Sequence, residues 1–211
     1  MPLPNRFMQV PPGPDAGLVP KVVNVIVEIP KGRRSKFEID KVTGLVKLDR
    51  YLYSSAVYPG EYGIIPRTHA EDGDPLDALV MVNEPTFPGC LIEARPIGLF
   101  KMTDQGDNDF KILCVPNTDP MFDDYESLWR VPKHYLREVE NFFATYKALE
   151  HDNNVETQGW ADVEYAHQEI LECIERYDKK DRSMQSRISW RAYSTSAQPC
   201  VSTLLSCSMA L

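Results

Sequence analysis

Alternating apolar and polar positions are the first regular feature of the chain. Residues 22–29 repeat with a period close to two and end at Pro30, which predicts a β-strand. Residues 36–40 show the same alternation. Because successive side chains of a strand point to opposite faces, we expect Lys36 and Glu38 to share one face.

Short β-rich segments continue along the chain, separated by stretches rich in Gly, Pro, Asp and Asn. We predict further strands at residues 45–53, 78–82, 91–100 and 110–115. A succession of short strands of this kind is typical of a β-barrel.

The periodicity then changes to that of helices. Leu136, Val139, Phe143 and Tyr146 recur at helical spacing, and a second helical pattern covers residues 166–177. Two helices that follow a set of strands predict an α+β architecture.

The helical pattern stops after Tyr177, and the remaining sequence is rich in serine. We therefore expect residues 1–178 to form the folded domain and residues 179–211 to form a disordered C-terminal tail. A short helix or a partner-binding peptide within residues 203–211 is the alternative.

Composition narrows the classes of partner and compartment. The net charge of −8 would repel a nucleic-acid backbone. No apolar stretch approaches the about 18 residues of a membrane span, and residues 1–18 lack the features of a signal or transit peptide. The five cysteines are widely spaced, so we expect reduced thiols. These features favour a cytoplasmic protein with no nucleic-acid or membrane partner.

The most informative segment for chemistry is residues 71–77, which places Asp72, Asp74 and Asp77 within six positions. Carboxylates this close raise one another's pKa, and a hard cation such as Mg²⁺ relieves their repulsion. A solvated turn has the same composition and is the plain alternative. An EF-hand is excluded, because a loop counted from Asp72 has Asp77 where that motif requires glycine.

A second acidic run covers residues 104–109 and includes Asp104 and Asp109. Alone it is typical of an exposed hairpin loop. Two such loops in one small domain favour a shared metal site.

Phosphate recognition requires cations and hydroxyl donors. The chain offers Lys36, Arg50, Tyr58, Tyr62, Lys111, Tyr146 and Lys147. Each has an ordinary alternative, because a lone lysine is usually solvated and a lone tyrosine usually packs its ring in the core. There is no Walker loop, dinucleotide fingerprint, nucleophile elbow or zinc-ligand spacing.

With these residues assembled, residues 12–177 resemble a family I soluble inorganic pyrophosphatase. The segment 71–77 resembles the family's Asp-x-Asp-Pro-x-Asp core. The other matching segments are residues 27–30, 36–40, 49–50, 58–59, 62–63, 101–104 and 142–147. The chain departs from the bacterial pattern at residues 61–64, which read Glu-Tyr-Gly-Ile where that pattern has Asn-Tyr-Gly-Tyr.

The resemblance implies a five-stranded OB-like β-barrel with flanking C-terminal helices. It also implies hydrolysis of inorganic pyrophosphate to two orthophosphates by a metal-activated water, without a covalent enzyme intermediate. A homo-oligomer of unspecified size is implied as well.

The resemblance assigns roles residue by residue. Asp74 matches the carboxylate that orients and deprotonates the attacking water. The ligands implied for Mg²⁺ are Asp72, Asp77, Asp104, Asp109 and Glu28. The implied phosphate ligands are Lys36, Arg50, Tyr62, Tyr146 and Lys147, and the supporting residues are Glu38, Tyr58 and Lys111.

Two other functions stay open at this point. A non-catalytic OB-fold module would bind oligonucleotides or sugars through basic residues and exposed aromatic rings, which the acidic composition disfavours. A catalytically silent relative would have lost a metal ligand, and every matching carboxylate is present.

Overall fold

The computed structural model describes residues 7–150 and 154–196, with the side chains of Met8 and of residues 184–196 left out. These residues contain nine strands and two α-helices. The strands are β1 (Val23–Ile29), β2 (Ser35–Ile39), β3 (Val46–Tyr51), β4 (Glu61–Ile64), β5 (Asp77–Val80), β6 (Leu91–Asp104), β7 (Asp107–Asn108), β8 (Lys111–Pro116) and β9 (Val155–Ala161). The helices are α1 (Lys133–Thr145) and α2 (Val163–Ser196).

Seven strands form one mixed sheet. β1 pairs antiparallel with β4, β4 antiparallel with β5, β5 parallel with β8, and β8 antiparallel with β6. β6 also pairs antiparallel with β1, with β7 and with β9. β2 and β3 form a separate two-stranded hairpin. A sheet-dominated fold with two helices confirms the predicted α+β class.

The six predicted strands are confirmed, with ends that differ by a few residues. Three strands were missed. β4 is only four residues long and contains a glycine, and β7 has two residues. β9 is an edge strand with no buried residue, so its sequence has no apolar alternation to detect.

The central strands bury both faces, which explains their almost continuous apolar sequence. Phe100 packs in one core cluster with Phe143 of α1. Its neighbour Leu99 packs in a second cluster with Ile170 of α2. Because side chains alternate along a strand, the same strands supply apolar residues to both clusters.

The chain divides into two compact units, one ending at Tyr177 and the other beginning at Asp178. α2 continues to Ser196, which differs from the disordered tail expected from residue 179. Residues 178–196 contain neither glycine nor proline, so nothing in this segment breaks the helix. Residues 197–211 lie outside the described part, and the division at residue 178 stays a prediction.

Neither helix in the described ranges is both long and apolar enough to cross a lipid bilayer. Cys90, Cys114 and Cys173 are free thiols in the structure, as expected. Cys200 and Cys207 lie outside the described residues.

A close backbone approach at Gly63 generates a prediction about stability. A Cβ atom on Gly63 would lie 2.9 Å from the Cα of Val27 and closer still to the carbonyl of Ile26. We expect Gly63→Ala to lower the free energy of unfolding by about 3 kcal/mol, because the clash is with backbone that cannot rotate away. Urea unfolding followed by circular dichroism measures the change.

The matched control is Gly17→Ala, since an added Cβ there meets only the Asp15 carboxylate at 3.4 Å. We expect this variant to lie within about 1 kcal/mol of the native protein. Equal unfolding midpoints for the two variants would contradict the packing argument.

Candidate active site

A polar cavity of about 300 Å³ lies at one side of the main sheet. The side chains that line it come from β1, the β2–β3 hairpin, β4, β5 and the loop before it, the end of β6, the start of β8 and the loop before it, and the segment after α1. They are Glu28, Lys36, Phe37, Glu38, Ile39, Lys41, Tyr62, Ile64, Asp72, Asp74, Pro75, Asp77, Asp104, Asp109, Lys111, Tyr146 and Lys147.

The cavity brings together nearly all the residues that the sequence predicts for the site. Arg50 and Tyr58 are the two predicted residues that do not line it. Tyr58 is buried, with its ring centroid 5.2 Å from that of Tyr62 and 4.7 Å from that of Phe142. The buried Tyr58 ring therefore packs against Tyr62 and supports its position, without lining the cavity itself.

The acidic loop before β5 is held by hydrogen bonds within the loop. The amide of Ala70 donates to the carbonyl of Asp74 at 2.8 Å, and the amide of Asp74 donates to Asp72 Oδ1 at 3.0 Å. Gly73 has a φ of +93°, a conformation that residues with a side chain rarely adopt. Glycine at this position thus allows the tight turn that sends both aspartates to the cavity.

Lys111 is the buried cation of the site. It begins β8, pairs in register with Asp77 of β5, and its Nζ lies 2.6 Å from Asp77 Oδ2. It also forms an ion pair with Asp109, and the hydroxyl of Tyr62 donates to Asp77. Burial opposes the charge of Lys111, but the two aspartates outweigh it and raise its pKa. Lys111 is therefore charged at neutral pH.

Glu28 attaches the β2–β3 hairpin to β1. Its Oε1 accepts a hydrogen bond from the amide of Ile39 at 2.7 Å. Burial raises the pKa of Glu28 to about 7, because the charged form loses its hydration. Glu28 thus both lines the cavity and fixes the hairpin beside it.

The hairpin carries two lysines into the cavity. Lys36 forms an ion pair with Glu38, which confirms that the two share one face. Lys41, in the turn after β2, forms an ion pair with Asp74. Lys41 was not predicted from the sequence, although it directly follows the matching segment 36–40.

Tyr146 and Lys147 follow directly after α1. The ring centroid of Tyr146 lies 5.3 Å from that of Phe142 and 5.8 Å from that of Phe143, so the ring packs in the core. The residue nevertheless lines the cavity, so packing and phosphate binding are compatible for this tyrosine. Lys147 forms an ion pair with Asp104 at the end of β6.

The donor set of the cavity fits divalent cations of the Mg²⁺ type. Seven carboxylate side chains but only four lysines line it, and carboxylate oxygens are the ligands such cations prefer. Asp104 Oδ1 is buried without a hydrogen-bond partner among the described residues, which makes it an available donor atom. Within those residues, no three His, Cys, Asp or Glu side chains already converge on one metal position, and lysines form ion pairs with Asp74, Asp77, Asp104 and Asp109.

The sequence and the fold were compared with known proteins. A profile described as inorganic pyrophosphatase matches residues 25–178. An inorganic pyrophosphatase of Picrophilus torridus is 48% identical over 175 residues, which cover 83% of this chain and 97% of the relative. One of Synechocystis sp. is 47% identical over 169 residues, covering 80% of this chain and 97% of the relative.

The crystal structure of inorganic pyrophosphatase from Thermus thermophilus matches the fold with a TM-score of 0.77 and 41% sequence identity. The match covers 82% of this chain and 98% of that chain. The family profile, the relatives and the solved structure all agree with the resemblance seen in the acidic segment 71–77 and the other matching segments. The chain therefore belongs to the family I inorganic pyrophosphatases.

Proposed function

We propose that this chain hydrolyses inorganic pyrophosphate to two orthophosphates in the polar cavity, with Mg²⁺ as the cofactor. The observation that carries the proposal is the convergence of the acidic loop, Lys36, Tyr146 and Lys147 on one cavity in a member of this family.

The proposed Mg²⁺ ligands are Asp72, Asp77, Asp104, Asp109 and Glu28. Bound Mg²⁺ would lower the pKa of water and neutralise negative charge on the phosphates. The excess of carboxylates over lysines in the cavity supports this set, since pyrophosphate would otherwise meet a net negative wall.

Asp74 is proposed to accept the proton of the attacking water. The water oxygen forms a bond to one phosphorus while the bridging P–O bond breaks, and the second phosphate leaves with the bridging oxygen. Asp74 suits this role because its side chain is more than half exposed and lines the cavity.

Lys36, Tyr62, Tyr146 and Lys147 are proposed to bind the phosphate oxygens, together with Arg50 at the edge. Lysines stabilise the charge that develops on the leaving phosphate. Burial raises the pKa of the Tyr146 hydroxyl, which keeps it protonated as a hydrogen-bond donor. Glu38, Tyr58 and Lys111 act as supporting residues.

A water nucleophile also agrees with the composition of the cavity. Among the described residues, no serine, threonine, cysteine or histidine lines it. Serine, threonine, cysteine and histidine are therefore not in place as phosphoryl acceptors, and the proposal assigns the carboxylates of the cavity to Mg²⁺ and to the attacking water rather than to an aspartyl-phosphate.

The architecture and assembly implied by the family complete the proposal. The pairing of β1 with both β4 and β6 supports a five-stranded OB-like barrel of β1, β4, β5, β8 and β6. A homo-oligomer and a cytoplasmic location are proposed on the family resemblance and the sequence composition.

Removal of the proposed proton acceptor gives a direct test. We expect Asp74→Asn to lower kcat for pyrophosphate by about 10³-fold, because the amide keeps the size of the side chain but cannot accept the proton. Phosphate release at saturating Mg²⁺ and substrate measures the effect.

The control is Asp107→Asn, which removes the same charge from an exposed position that does not line the cavity. We expect it to retain native kcat. Native kcat in Asp74→Asn would refute the role of Asp74, and absence of turnover in the native protein would refute the proposed reaction.

Metal dependence is tested separately. We expect excess chelator to lower turnover at least about 100-fold, because the uncompensated carboxylates repel pyrophosphate, and added Mg²⁺ to restore it. Calorimetric titration of Mg²⁺ should show weaker binding to Asp77→Asn than to Asp107→Asn. Turnover that persists in chelator, or equal Mg²⁺ affinity in the two variants, would contradict the proposed site.

A further inference from the structure

Arg50, a proposed phosphate ligand, is held by a residue that the sequence analysis did not single out. Its Nε donates to Glu150 Oε1 at 3.1 Å and its Nη2 donates to Glu150 Oε2 at 2.8 Å. Two parallel bonds between a guanidinium and a carboxylate fix both the position and the plane of the arginine. The two residues are 100 positions apart in the sequence.

The pair is partly buried, which distinguishes it from an ordinary surface ion pair. The Arg50 and Glu150 side chains are 25% and 14% exposed. An exposed pair would contribute little, because solvent screens it and both side chains move freely. The restricted exposure and two-point contact here leave the guanidinium few other orientations.

A shared carboxylate places this guanidinium next to the cavity. Asp49 Oδ2 accepts a hydrogen bond from Arg50 Nη1 and another, at 3.2 Å, from Lys36 Nζ. Lys36 lines the cavity. Arg50 therefore lies beside the cavity wall, although it is not itself a lining residue.

Glu150 belongs to the same turn as Lys147, the cation that follows α1. Its amide donates to the carbonyl of Lys147 at 2.8 Å, and Lys147 lines the cavity. The Glu150 carboxylate thus links this turn to the β2–β3 hairpin, which carries Lys36 and Arg50.

The bonds to Glu150 and Asp49 use three of the five donor hydrogens of Arg50. One hydrogen is left on each terminal nitrogen, so the fixed guanidinium can still donate to a phosphate. Glu150 does not line the cavity, so it acts on substrate only through another residue.

We propose that Glu150 is a positioning residue, which fixes the guanidinium of Arg50 at the edge of the cavity so that it meets one phosphate of pyrophosphate. This inference rests on the proposed function, because it assigns Arg50 to phosphate binding. Removing Glu150 leaves Arg50 present but mobile, and a mobile ligand pays an ordering cost when substrate binds.

The test is a double-mutant cycle of Glu150→Gln and Arg50→Ala, with Glu138→Gln as the control. Gln keeps the size of the side chain but loses its charge and its second acceptor oxygen. Glu138 is exposed on α1, so its variant removes one carboxylate outside the site. Melting temperatures and circular dichroism establish that each variant is folded at the assay temperature.

We expect Glu150→Gln to lower kcat/KM about tenfold, mainly through a higher KM, because a binding contact is loosened while Asp74 is unchanged. In the Arg50→Ala background the same change should have no further effect. Glu150→Asp, which keeps the charge on a shorter side chain, should recover part of the loss. Calorimetric binding of imidodiphosphate, a non-hydrolysable analogue, should weaken in parallel with the rise in KM.

The possible failures are distinguishable. Absence of Mg²⁺-dependent turnover in the native protein refutes the proposed function itself. Native turnover with an unchanged or improved kcat/KM in folded Glu150→Gln overturns the positioning role. An equal tenfold loss in the Arg50→Ala background also overturns it, because Glu150 would then act independently of Arg50.

Discussion

The burial of a charged lysine is the constraint on which much of this structure depends. Lys111 is almost completely buried, and an unpaired ammonium there would cost several kcal/mol. Asp77 and Asp109 lie beside it and compensate its charge. The contact with Asp77 joins β5 to β8 and therefore favours the observed register, in which Asp77 lies opposite Lys111. The register of β5 against β8 and the positions of two proposed metal ligands thus satisfy one electrostatic requirement.

The proposed site divides into two parts with different mechanical properties. Asp77 lies in a strand paired on both sides, and Asp109 is tied through its amide to Met102 of β6, so these carboxylates are held by the sheet. The lysines that would meet phosphate come from the β2–β3 hairpin and from the turn after α1. Rigid carboxylates suit a fixed metal geometry, whereas long lysine side chains can follow a substrate that changes shape during reaction.

Sequence predicted the parts of this molecule whose signals are local. Alternation revealed the buried strands, and the spacing of Asp72, Asp74 and Asp77 revealed the acidic loop. β9 was missed because an exposed edge strand has no apolar period. Glu150 was missed because a single glutamate has no distinguishing pattern, and its role depends on a contact with Arg50 that only the folded chain creates. Long-range pairs of this kind follow from topology, which periodicity does not specify.

The proposed phosphate-binding cations lie on two separate segments, the β2–β3 hairpin and the turn after α1, so the contacts that hold these segments together are important. Glu28 binds the hairpin to β1 through the amide of Ile39, and Lys147 binds the turn after α1 to Asp104 of β6. Each contact connects a cation-bearing segment to the sheet, but neither connects the two segments to each other. The Arg50–Glu150 pair makes that third connection. Pyrophosphate has two phosphates separated by one bridging oxygen, so the two segments that carry the proposed phosphate-binding cations would have to stay close together for both phosphates to be bound at once. A direct link between the hairpin and the turn limits that spacing more effectively than two separate attachments to the sheet.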